Sequence, residues 1–550
     1  MRRFRSFFSR SSKPLPVESS FNFPNPLPTW PPGDGFASGI IDLGGLQVCQ
    51  VTTFNKIWST LEGGPHNLGA TFYEPSSIPE GFFMLTSYSQ SNNKQLFGWV
   101  LVAKDVSSDE SENSTKILEK PIDYTLVWTS ESKKNKLGDN GYIWLPTPPE
   151  GYRSVGHVVT TSSDKPSIDK IRCVRSHFTE ESEIDSWIWG LEKEVDPDGL
   201  NLYGSKPAHR GPQAVGVPVG TFIVQNSGEA KLLDCLKNVQ PNLSVMPNLD
   251  QIYALIKCYS PLVYFHPDEE YLPSSLCWFF ENGALLYTKG EELNPCPVEH
   301  PHGSNLPQGG TNDGVHWLCQ PEEESFKKGN LASAESYVNV KPMFGGTFTD
   351  IALWVFYPFN GPARVKIGAL NLSLGKIGQH EGDWEHVTLR ISNFSGELRS
   401  VYLSTHAKGM WISASELEYE KGNKPVVYSS LHGHALYPKA GCVLQGSGGI
   451  GIRNDTGKSS NVMDTGEKFV IVSGDYLSII EPPWLNYCRE WGSRISYDFA
   501  AEVKKVKEKL PHKLRGSFES IVKSLPNEML GEVGPTGPKM KVSWSGDERV

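Results

Sequence analysis

The sequence predicts a mainly β protein: an N-terminal β-prism-like domain of repeated β units and a C-terminal β-sandwich, with a short helical connector and C-terminal helices. Three observations lead there. Glycine and proline, 53 and 40 of them, are spread along the whole chain, as in chains of many short strands joined by turns. A short strand–turn–strand unit recurs in the first half. In the second half, runs such as Asp350–Tyr357 and Val387–Ile391 have strand length and end at turn residues.

Taken in order, residues 1–35 read as a disordered or extended lead-in, because FNFPNPLPTWPPGDG cannot be helical. Residues 36–226 hold the repeat. Phe72-Tyr73-Glu74-Pro75 precedes Pro79-Glu80-Gly81-Phe82, and Ile143-Trp144-Leu145-Pro146 precedes Pro149-Glu150-Gly151-Tyr152, each followed by further strand-like runs. A fainter third copy closes near Val215–Val224. Such units bury a face only against one another, hence the prism-like expectation. Residues 227–260 are expected to form the helical connector, with apolar spacing over 230–239 and 248–258 and Asp250 as a candidate cap. Residues 261–497 read as the sandwich and 498–550 as a helical tail, interrupted at Pro511 and loose at Gly534–Pro538.

Composition narrows the function classes. A net charge of −10 without a basic, aromatic-interleaved block argues against nucleic acid. No run of about 18 apolar residues offers a transmembrane helix. Nine cysteines without a CxxC pair read as buried reduced thiols, which points to a cytoplasmic setting. The basic, serine-rich start lacks the apolar core of a secretory signal; plastid or mitochondrial targeting stays open.

The richest chemistry lies in Gly378-Gln379-His380-Glu381-Gly382-Asp383-Trp384-Glu385-His386-Val387. On a strand, Asp383, Glu385, Val387, Leu389 and Ile391 share one face. Two carboxylates at the rim of an apolar row need a cation, a shared proton or a ring of donors. Asn360, ending a strand just upstream, offers an amide oxygen. His406, expected across a hairpin, and His432 and His434, two apart, are second-choice ligands; His266 and Asp268 fit a solvated turn better. Carboxylate and amide oxygens suit Mg²⁺ or Ca²⁺, and the histidines keep Zn²⁺ or Mn²⁺ in play.

The strings FTDIALWVFYPFNGPA, GQHEGDWEHVTLRISN, VYLSTHAKGMW and NKPVVYSSLHGHALYP, with FPNPLPTWPPGDGFASG nearer the start, resemble the plant vacuolar protein sorting-associated protein 62-related family. That resemblance implies a link to vacuolar trafficking and no defined activity. The heptad is also similar to the Gly-His-x-x-Asp-Trp-Glu segment of the necrosis- and ethylene-inducing toxins, which bind a divalent cation on a β-sandwich. The resemblance implies His380, Asp383 and Glu385 as ligands, with Asn360 where the toxins have an aspartate and Gly382 where they have a second histidine. The expected function is a non-catalytic peripheral protein that binds lipid head groups or a protein partner at an endomembrane. The alternatives are a metal-dependent hydrolase and a metal-free scaffold.

Overall fold

The computed structural model describes residues 14–107, 116–131, 140–190, 200–226, 229–321, 323–405, 408–447, 449–493, 498–523 and 534–548. The chain divides into two units. Unit 1 takes Met1–Asn22, Ser38–Arg210 and Ala214–Asn242, and unit 2 takes Phe23–Ala37, Gly211–Gln213 and Leu243–Val550.

Among the described residues, unit 1 consists of five antiparallel sheets of three to six strands. The recurring Pro-Glu-Gly-aromatic motif makes the same turn twice: Phe82 N donates to Pro79 O and Tyr152 N to Pro149 O, each at 3.1 Å. The glycines sit at φ 80° and 82°, where a side chain would be strained. Segments from the three stretches read as copies then touch. Ser87 N donates to His157 O at 2.8 Å, His157 Nδ1 meets Phe222 O at 3.1 Å, and Thr86 Oγ1 meets Thr221 Oγ1 at 2.7 Å. Trp58, Phe72, Trp189 and Phe222 fill the core beside them. Residues 230–239, expected to be helical, instead contribute strands Glu229–Lys231 and Asp234–Lys237. Short apolar runs fit both periods, and here pairing with neighbouring strands wins.

Unit 2 opens with the lead-in, which is extended but not free. Its Trp30 Nε1 donates to Ser395 O at 3.0 Å, and Phe23 packs against Tyr259 and Tyr419. Helix α1 (Leu249–Tyr259) follows. Its cap is Asn248, not Asp250: Asn248 Oδ1 accepts from Gln251 N at 3.0 Å while Gln251 Oε1 accepts from Asn248 N at 2.9 Å, a reciprocal capping box.

Strands β1 (Leu262–Tyr264), β2 (Ser336–Met343), β3 (Phe348–Asn360), β4 (His380–Ser392), β5 (Leu398–Thr405), β6 (Lys408–Ser413), β7 (Lys424–Ser429) and β8 (Phe469–Gly474) organise the unit. The central sheet has the order β6-β5-β4-β3-β2-β8, antiparallel except for the β2–β8 pair. Every residue of β3 is buried, so this sheet is covered on both faces. One face meets the second sheet, which contains β1 and β7, through Phe265 against Tyr357. Against the other lies an aromatic cluster of Phe356, Trp384, Trp484 and Trp491. The C-terminal helices Phe499–Glu508 and Arg515–Lys523 pack on a four-stranded side sheet through Val506, Phe518 and Ile521.

All nine cysteines are free, but only Cys173 and Cys235 are buried, and Cys296 and Cys442 are exposed. The expectation of uniformly buried thiols fails. No described helix is long and apolar enough to cross a membrane.

Candidate functional site

Residues of β3 and β4 pair one to one, with Tyr357 opposite Asp383 and Asn360 opposite His380. Simple alternation would place Glu381 beside Asp383 and turn His380 away. Gly382 prevents that. Its φ of 63° breaks the period, so Glu381 reaches Cys319, whose Sγ lies 2.7 Å from its Oε2, and His380 stays within electrostatic reach of Asp383. A β-carbon at 382 would lie 2.2 Å from Trp491 O. Glycine is therefore demanded both by the backbone angle and by the close approach of another strand.

Asp383 is held by charge. Its Oδ2 lies 2.9 Å from His434 Nδ1, and His434 Nε2 lies 3.1 Å from Tyr271 O. Both ring nitrogens are thus engaged by oxygen atoms. Burial alone would raise the Asp383 pKa. The His434 hydrogen bond and the charges of His380, His434 and Lys541 outweigh it and hold the group below the usual carboxylate range. The His434 ring is fully buried and stacks on Tyr357, centroids 3.8 Å apart.

The loop carrying His434 is strained. His432 and His434 sit at φ 69° and 55°, a conformation that costs non-glycine residues about 1 kcal/mol or more each. Glu269 secures it: its Oε2 accepts from His432 N at 2.6 Å, and its Oε1 accepts from Glu270 N at 3.1 Å and Tyr271 N at 2.9 Å. His432 Nδ1 is buried without a partner, and desolvation lowers the pKa of the ring.

Glu385, two residues along β4, is buried and accepts a short hydrogen bond from Ser404 Oγ on β5, which in turn accepts from His386 N at 3.0 Å. Burial raises the Tyr357 phenol strongly, and the charges of Glu385, Asp383 and Glu269 add to the rise against a hydrogen bond from Ser429. At the strand end, Asn360 Nδ2 donates to Gly361 O at 3.1 Å and Gly378 O at 2.8 Å, which leaves its carbonyl oxygen as the atom for a ligand.

The fold thus places His380, Asp383 and Glu385 along β4, with Asn360 opposite His380 at the end of β3, and it does not bring the ligand atoms of His380, Asp383 and Glu385 within 4.8 Å of one another. It gives His434 to Asp383 as a hydrogen-bond partner with no nitrogen left for a metal. His406 lies outside the described residues. His266 and Asp268 stay together at their turn, His266 Nδ1 accepting from Asp268 N at 3.1 Å. Among the described residues, the one trio of His, Cys, Asp or Glu ligand atoms within 4.8 Å of one another is elsewhere, at Cys277, Glu281 and His300. Sequence reading missed Glu269, Tyr271, Tyr357 and Ser404. Their roles come from tertiary placement; only the buried-type run leading into Glu269 hinted at one of them.

The other face of β4 is polar as well. His386, stacked on Trp354 with centroids 4.1 Å apart, has Nε2 3.0 Å from Glu548 Oε2. Thr388 donates to the same carboxylate at 2.5 Å, and Lys341 Nζ donates to Ser543 O at 2.6 Å. Arg390 grips Asp350 through two hydrogen bonds of 2.8 and 2.7 Å and reaches Asp547 at 2.7 Å. Residues 534–548 thus strap across the sheet, and Trp491 N donates to Pro535 O at 2.8 Å. The expectation of a loose Gly534–Pro538 stretch is overturned by these long-range bonds.

No curated protein matches the chain. Among solved structures, GNIP1Aa from Chromobacterium piscinae is similar at 16% identity and a TM-score of 0.28, over 39% of this chain and 40% of that one, so less than half of its length is spanned. Necrosis and Ethylene inducing Protein 2 from the causal agent of cocoa's Witches Broom disease gives 16% identity and 0.18, over 34% and 67%. A structure described as a toxin fold as basis for microbial attack and plant defense gives 12% and 0.21, over 42% and 76%. Overlaps this weak carry no functional conclusion. The family model for vacuolar protein sorting-associated protein 62 matches residues 17–548, nearly the whole chain, and the protein belongs to that family.

Proposed function

We propose that this chain is a non-catalytic peripheral protein of vacuolar or related membrane trafficking. In this reading unit 1, as a β-prism-like module, binds lipid head groups or a protein partner, and unit 2 holds a divalent cation at the Asp383 rim. The observation that carries the cation reading is the Asp383 carboxylate, fixed by His434 and held below the usual range with His380 within electrostatic reach of it. Oxygen ligands of this kind suit Mg²⁺ or Ca²⁺ retaining several waters. The link to trafficking rests on family membership.

The hydrolase reading has less support. Of its candidate residues, His434 spends both nitrogens on Asp383 and Tyr271 and so is not available to hold a metal or accept a proton. The test is flotation of the full chain with vesicles of defined lipid classes, with and without chelator, for wild type and Asp383→Asn. Binding to at least one class, weakened by chelator and by the substitution, supports the whole reading. No flotation with any lipid counts against the membrane part.

A further inference from the structure

Unit 1 carries a cleft that plays no part in the site described above. It encloses about 200 Å³ between the Tyr88–Trp99 hairpin, residues 186–188 and residues 204–205. Two features show that it is built rather than incidental. Gln90, buried, uses its whole amide to fix the rim: Nε2 donates to Lys94 O at 3.1 Å and Gln95 O at 2.8 Å, while Oε1 accepts from Tyr88 Oη at 3.0 Å and Phe97 N at 3.3 Å. Asn92, also buried, does the same below it, donating to Thr60 O and Leu68 O at 2.8 Å and accepting from Thr71 Oγ1 at 2.7 Å. A loop pinned by two dedicated amides is preorganised. On the facing wall, the strand register shifts between Ile184 and Trp187, and such bulges re-aim side chains; Ser186 and Trp187 line the cleft there.

The lining has a distinct chemistry. Trp99 and Trp187 are half-buried and offer flat apolar surface. Hydroxyls stand around them at Ser186 and Ser205. Among the described lining residues Lys94 is the one charged group. A phosphate head group would call for several cations, and an aliphatic ligand would leave the hydroxyls unpaired. A ring with apolar faces and a hydroxyl edge satisfies both.

We infer that this cleft binds a neutral sugar ring, stacked on Trp99 and Trp187 with its hydroxyls on Ser186 and Ser205. The inference rests on the reading of unit 1 as the binding module and names its ligand. The ring could be presented by a soluble glycan or by a glycolipid head group. Both arms are tested with the full chain: an array of immobilised neutral saccharides, and phosphatidylcholine vesicles with and without galactosylceramide. Binding in either arm is expected, about tenfold weaker in Trp187→Ala and about fivefold weaker in Ser205→Ala. Ser205→Ala removes one oxygen and keeps the wall in place, so it decides the matter if Trp187→Ala loses its fold. Absence of binding in both arms, or unchanged binding in folded variants, overturns the inference. Binding only to vesicles containing phosphatidylserine overturns it too, while the peripheral-membrane reading stands.

Discussion

Gly382 decides which side chains meet at the end of β4. Its left-handed backbone parts Glu381 from Asp383 and keeps His380 near it. Gly382→Ala should therefore lower stability by about 2 kcal/mol or more, since it adds backbone strain and a clash with Trp491 O; the urea midpoint measures this, and an unchanged midpoint would refute the account of the strand end. Lys541 contributes positive charge at Asp383 and so opposes an incoming cation. Lys541→Gln should tighten divalent-cation binding several-fold at low ionic strength, with the gain fading as salt screens the charge, as read by titration calorimetry. Asp383 and Glu385 were legible in the sequence because alternation on an apolar strand is a strong signal. The break at Gly382 was not, since a period of two contains no positive φ. Glu269 was missed for a different reason: an acid in a charged turn reads as solvated until the fold brings the His432 and Tyr271 amides to it.

The long strands were the most readable elements. The apolar runs at 350–357 and 387–391 lie inside β3 and β4, because continuous burial on both faces leaves little room for another structure. The C-terminal strap was unreadable, because glycine, proline and mixed charges over 534–548 give no period, and its bonds go to residues about 150 to 200 positions earlier. Its hold should depend on pH. Burial would raise the Glu548 pKa, but His386, Lys341 and Thr388 more than reverse this and bring it to about 2, below an unfolded value of about 4.3. A carboxylate depressed in this way adds stability that is complete above about pH 4.3 and is lost as pH falls toward 2. Wild type should lose stability across that window. Glu548→Gln should start lower at neutral pH, by on the order of 3 kcal/mol, and lose less on acidification. Parallel acid profiles for the two proteins would show that the strap is not held by this pair.

For the whole molecule, family membership covers residues 17–548, while the two units carry different chemistry: a neutral, aromatic cleft in unit 1 and a charged rim in unit 2. The sequence anticipated a repeat in one and an acid motif in the other, each from local pattern. The cleft in unit 1 was beyond it, because residues near 90, 187 and 204 become neighbours only through sheet pairing. The central claim is that the rim holds a divalent cation. Calorimetric titration of chelator-treated full-length protein with Mg²⁺, Ca²⁺, Mn²⁺ and Zn²⁺ tests it most directly, with wild type compared against Asp383→Asn and, as a control for the second cluster, His300→Ala. The account predicts a cation that binds wild type and His300→Ala alike and is lost in Asp383→Asn. Binding that survives in Asp383→Asn, or no binding to wild type by any of the four ions, would contradict it.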